Sequence, residues 1–86
     1  MAMVTYDVSG MQSAVKQHMV NLGYGDSWLF NGKTFTLPNT TLWKQDATLQ
    51  QAIADIQNAA DSAGVRLERA VATDEKAWWG IPGQAR

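Results

Sequence analysis

The chain has 86 residues, 45% of them hydrophobic, which supplies one core and not two, so a single domain is expected. Seven basic and eight acidic side chains give a net charge of −1, and the basic residues Lys16, Lys33, Lys44, Arg66, Arg69, Lys76 and Arg86 are scattered, which argues against a nucleic-acid partner. Cysteine is absent, which excludes disulfides, thiolate metal sites and cysteine nucleophiles.

The opening residues Met1 to Asp7 lack the basic start and long apolar run of a secretory signal, and nowhere do eighteen apolar residues run together. The expectation is a cytoplasmic protein of bacterial or phage origin with no membrane contact. Val4, Tyr6 and Val8 alternate with Met3, Thr5 and Asp7, the period-two signature of a strand with one apolar face. After Ser9 and Gly10, the residues Met11, Val15, Met19 and Leu22 recur at helical spacing, which predicts a helix with Ser9 as N-cap and Gly23 as its stop.

Two turn signals divide the next stretch. Asn31-Gly32 suits a type I′ hairpin, and Pro38-Asn39 marks a second turn. Lys33–Leu37 and Thr40–Lys44 read as a pair of strands, with Ser27–Phe30 a possible third. Leu49, Ile53, Ile56, Ala60 and Ala63 then mark an amphipathic helix over Ala47–Ala63, capped by Asp46 and ended by Gly64. Val65, Leu67 and Val71 form the last strand, although Arg69 falls on its apolar face, so either a bulge re-aims it or its guanidinium reaches a carboxylate or the rim.

This order predicts an α+β fold of the ferredoxin-like βαββαβ type: four antiparallel strands with both helices on one face. The domain is expected to span residues 1–72, with 73–86 a C-terminal tail packed on the sheet or on a partner subunit. The expected core is Val4, Tyr6, Val15, Met19, Leu22, Leu49, Ile53, Ile56, Ala60, Leu67 and Val71.

Few residues here carry chemistry. His18 is the one histidine and has no evident nucleophile beside it, and Gly23-Tyr24-Gly25 follows a helix instead of opening one, as a phosphate loop would. Asp7 ends the first strand. A carboxylate there can ligate a divalent cation, or it can bond backbone groups of the turn before the helix. The four tryptophans stand out more: Trp43, with Trp78, Trp79 and Ile81 of the tail, are the expected interface residues, because tryptophan is enriched where surfaces are buried between chains.

The strand Val4-Thr5-Tyr6-Asp7-Val8, the glycine-ended helix after it, and Leu37-Pro38-Asn39-Thr40-Thr41-Leu42-Trp43 resemble the family of VapD, SinR-like proteins and the small CRISPR-adaptation nuclease. The resemblance implies a ferredoxin-like homodimer. In active members a carboxylate ending the first strand is paired across the dimer and implicated in metal-dependent cleavage of nucleic acid, which maps to Asp7. Two functions follow. The first is a small non-enzymatic homodimeric protein-interaction or regulatory module, with no cofactor. The second is an endonuclease acting on RNA or DNA with Mg2+ or Mn2+ at Asp7 as catalytic and metal-binding residue.

Overall fold

A computed structural model of the chain describes residues 1–30 and 32–74. Seven elements follow one another: β1 (Ala2–Val8), α1 (Gln12–Asn21), β2 (Ser27–Phe30), β3 (Lys33–Thr36), β4 (Thr41–Lys44), α2 (Leu49–Ala63) and β5 (Leu67–Thr73). The class is α+β. β1 is the centre of an antiparallel sheet in the order β4-β1-β5, and its alternation is realised in full, with Ala2, Val4, Tyr6 and Val8 buried. Those side chains meet Val15 and Met19 of α1 and Ala52, Ile56, Ala59 and Ala60 of α2, so both helices cover the same face.

Among the described residues the main sheet has three strands where four were expected, and the predicted pairing of Lys33–Leu37 with Thr40–Lys44 does not occur. β3 pairs instead with β2, from Ser27 opposite Thr36 to Phe30 opposite Lys33. Gly32 has φ +76°, the left-handed conformation that the hairpin turn requires of it. The free edge of β4 is taken by Gly25. Its N–H donates to the Trp43 carbonyl (2.8 Å) and its carbonyl accepts from the Trp43 N–H (3.0 Å). The ferredoxin-like strand order thus survives with its fourth position reduced to a single bridge, from which the β2–β3 hairpin departs.

The helix caps also differ from expectation. Ser9 does not cap α1. Its hydroxyl accepts from the Arg66 N–H (2.9 Å), tying the end of β1 to the start of β5, while Met11 holds the N-cap position at φ 51° with no side-chain cap. α2 is capped by Thr48, whose hydroxyl accepts from the Gln51 N–H (3.1 Å), and not by Asp46. Gly64 ends α2 at φ 72°, as its position in the sequence predicts.

Four expected core residues lie outside the core. Leu22, Leu49 and Ile53 are about two-fifths exposed, at 39%, 40% and 39%, and Val71 is 63% exposed. For α2 the reason is Asp55. Tyr24, itself buried, donates its hydroxyl to Asp55 Oδ2 (2.8 Å), and Gln51 donates to Oδ1 (2.8 Å), so this carboxylate faces inward and the stripe of Leu49 and Ile53 is turned to the flank. Alanines 52, 59 and 60 fill the contact instead, and their small side chains suit a close approach of helix to sheet. For β5 the reason is a bulge: Val8 pairs with Leu67 and Asp7 with Arg69, which leaves Glu68 as the extra residue. Beyond it the inward positions are Ala70 and Ala72, and Arg69 and Val71 point the other way.

Candidate functional site

The face of the sheet away from the helices gathers the sequence-predicted site residues that lie within the described chain. β1 contributes Met3, Thr5 and Asp7, β4 contributes Thr41 and Trp43, and β5 contributes Arg69, Val71 and Thr73. The register sets them in rows: Trp43, Met3 and Thr73 across one level, Thr41, Thr5 and Val71 across the next, then Asp7 beside Arg69. Each row follows from the period of two along a strand, since the partners of these residues on either side are the buried ones.

Trp43 is anchored at one end of this face. Its Nε1–H donates to the Ser27 carbonyl (2.7 Å), and its ring lies 4.3 Å, centroid to centroid, from that of Trp28 at an interplanar angle of 58°. A Cβ at Gly25 would stand 3.2 Å from Trp43 Nε1, so glycine at 25 is what lets the indole lie against the backbone there. The pair locks the β2–β3 hairpin to the end of β4. Next along the face, the Thr5 and Thr41 hydroxyls are 3.2 Å apart and share a hydrogen bond. Val71 stands out into solvent beyond Thr5.

Asp7 is where the sequence places it, at the end of β1, but its carboxylate meets a cation. Arg69 Nε (2.8 Å) and Nη2 (2.6 Å) both donate to Oδ2. The pair is a cross-strand contact at the rim, with both side chains largely in water, so it neutralises the corner of the face at little net gain in stability. A divalent cation at this carboxylate would sit against the guanidinium charge. Among the described residues no group of three or more His, Asp or Glu side chains is placed to hold a metal. The expected interface residues Trp78, Trp79 and Ile81 lie outside the described residues, as does the tail to which they belong.

Sequence reasoning passed over Tyr24 and Asp55. Tyr24 follows α1 between two glycines and reads as part of a terminator, yet it is buried and fastened to α2. Burial, then the hydrogen bond to Asp55, then the charge of that carboxylate hold the Tyr24 hydroxyl far above its usual titration range. Burial alone raises Tyr6. Tyr24, Asp55 and Gln51 form an internal hydrogen-bonded network that ties the end of α1 to α2. Elsewhere a polar cleft of about 460 Å3 lies along α1, where Lys16 bridges to Asp26 at 3.1 Å beside Gln12, Ser13, Gln17 and Asn39. A shallower groove of about 570 Å3, lined by Leu49, Gln50, Ile53, Ala54, Gln57 and Ala72, runs between α2 and β5.

Among the described residues no helix is long and apolar enough to cross a membrane. No protein-family model matches the chain, and neither a curated protein nor a solved structure is detectably similar to it.

Proposed function

We propose that this chain is a small cytoplasmic, non-enzymatic protein-interaction module that works as a homodimer, and that its helix-free sheet face receives a protein partner. The observation that carries the reading is the character of that face. It offers three apolar side chains, Met3, Trp43 and Val71, with the threonines Thr5 and Thr73, while Thr41 is buried and hydrogen-bonded to Thr5, and its one acidic group is matched by Arg69. A surface that mixes apolar area with hydrogen-bonding groups at no net charge is suited to another protein and gives no purchase to a polyanion. The face is also rigid, because β1 is bonded on both sides and the network of Tyr24, Gln51 and Asp55 braces the helices behind it.

The test is affinity capture with a point variant on the face and one on the far side. Thr5→Arg places a long cation in the middle of the face, whereas Asn58→Arg changes an exposed position on α2. A partner retained by the wild type and by Asn58→Arg, and lost from Thr5→Arg, is the expected result. Retention of the same proteins by all three would refute the assignment of the face.

A further inference from the structure

We infer that two copies of this chain join edge to edge along β5, forming one continuous sheet in the order β4-β1-β5-β5′-β1′-β4′. The hydrogen-bond phase of β1 shows which groups of β5 remain available. The Tyr6 N–H donates to the Thr40 carbonyl, so the even-numbered residues of β1 turn their backbone groups to β4 and the odd-numbered ones turn theirs to β5. Opposite those odd residues stand Arg69, Val71 and Thr73, which therefore bond inward to β1. Ala70 and Ala72 point their N–H and C=O groups outward, and among the described residues no strand lies on that side of β5.

Natural edge strands are blunted by charged side chains, lysine above all, by proline or by a bulge. β5 has neither proline nor lysine, its charged residues Glu68 and Arg69 and its bulge all lie within its first three residues, and Ala70 to Thr73 carry no charge. Beside this edge lies the groove between α2 and β5, with Leu49 and Ile53 both about two-fifths exposed along it. Backbone donors and acceptors, apolar area and a concave flank thus coincide on one side of the molecule.

The occupant that fits is a second copy. A two-fold interface sets each patch against itself, so a charge at or beside the axis meets its like. The flank of α2 along the groove, Leu49, Gln50, Ile53, Ala54 and Gln57, contains no charged side chain, and the two glutamines can bond to each other as donor and acceptor. With Val71 on the axis, Ala70 and Ala72′ exchange their two hydrogen bonds, and Arg69 faces Thr73′ instead of its own image. The edge and flank run about 22 Å, the length of a 15-residue helix, so the contact is small for a specific interface and belongs with the weak, transient ones. The dimer is therefore expected to be concentration-dependent. The axis runs perpendicular to the sheet, so both helix-free faces look the same way and present one six-stranded surface.

The inference rests on the homodimeric part of the proposed function. Because the chain has no cysteine, single-cysteine variants read it cleanly. Residues opposite each other at a non-hydrogen-bonded antiparallel position have Cα atoms about 4.5 Å apart, within the span of a disulfide. Under mild oxidation, two Val71→Cys thiols lose two protons and two electrons to the oxidant, supplied as oxidised glutathione, and join as one S–S bond. The expected product is a covalent dimer on a non-reducing gel from Val71→Cys and not from Thr5→Cys, which lies mid-face on β1. Adding Ile53→Glu, which sets like charges across the groove, should abolish the cross-link of Val71→Cys with an unchanged circular dichroism spectrum, and mixing it with the Ile53→Lys form of the same variant should restore it. A wild type that stays monomeric at high micromolar concentration, equal cross-linking of Thr5→Cys, or cross-linking indifferent to Ile53→Glu would each overturn the interface. A wild-type dimer that captures no partner refutes the partner-binding face alone, and a wild-type monomer that does capture one refutes the dimer alone.

Discussion

Tyr24→Phe removes one oxygen atom from a buried network and asks whether that network holds the fold together. The hydroxyl of a tyrosine that is 3% exposed donates at 2.8 Å to a carboxylate that is 7% exposed, and Gln51 satisfies the other oxygen of Asp55. A hydrogen bond to a charged group contributes about 1.5–3 kcal/mol, and the variant leaves Asp55 Oδ2 buried without that donor, so a loss of about 2 kcal/mol is expected. A domain of this size has a total stability of roughly 4–13 kcal/mol, so the thermal midpoint should fall by about 8–16 °C. The same hydroxyl sets the alkaline limit. Its folded-state pKa is raised above the unfolded value near 10, so its contribution is fully present below about pH 10 and is lost as pH rises beyond, where the unfolded chain ionises and the native one holds its proton. Tyr6, raised in the same direction by burial, acts alongside. Urea titrations followed by tryptophan fluorescence at pH 7 and between pH 10 and 11 measure both effects. The variant should be weaker at neutral pH and should lose less on going to alkaline pH. A variant within about half a kcal/mol of wild type, with an unchanged alkaline slope, would show that Tyr24 and Asp55 do not brace the helices.

Ile56→Ala opens a cavity at a fully buried site and should cost about 2–5 kcal/mol, whereas Ile53→Ala, on the exposed flank of α2, should cost under about 1 kcal/mol; equal losses in denaturant titrations would contradict the orientation of the helix. Asp7→Asn should change stability by no more than about 1 kcal/mol, because the pair with Arg69 is exposed. Incubation with single- and double-stranded RNA and DNA and Mg2+ or Mn2+ should give no cleavage; cleavage by the wild type that Asp7→Asn abolishes would instead establish the endonuclease reading. Gly25→Ala forces its Cβ against the Trp43 indole and should destabilise by about 1–3 kcal/mol, with a shift in tryptophan emission as the hydrogen bond to Ser27 is disturbed.

Local pattern carries the elements whose two faces see different surroundings. β1 alternates because one side meets helices and the other does not, and both helices are bounded by glycines that tolerate positive φ, so their existence and order were legible along the chain. The placement of Asp7 and Trp43 on the helix-free face follows from the same alternation, and the conflict at Arg69 already pointed to a bulge or a carboxylate; the structure contains both. What depended on tertiary structure were choices between partners of similar local merit. β3 had two turns beside it, and it joined β2 because Gly25 occupies the free edge of β4, a contact that no periodicity reports. The stripe of Leu49 and Ile53 looked like the buried face of α2, yet the phase of that helix was decided by Asp55, whose burial is favourable only once Tyr24, 31 residues away along the chain, reaches it. One inserted residue at Glu68 likewise exchanged the inward and outward sides of β5, bringing Ala70 and Ala72 to the core and Val71 to the solvent. Sequence periodicity reports how wide an apolar stripe is; the register of the partner strand and the position of a single hydrogen-bond donor decide which way it faces.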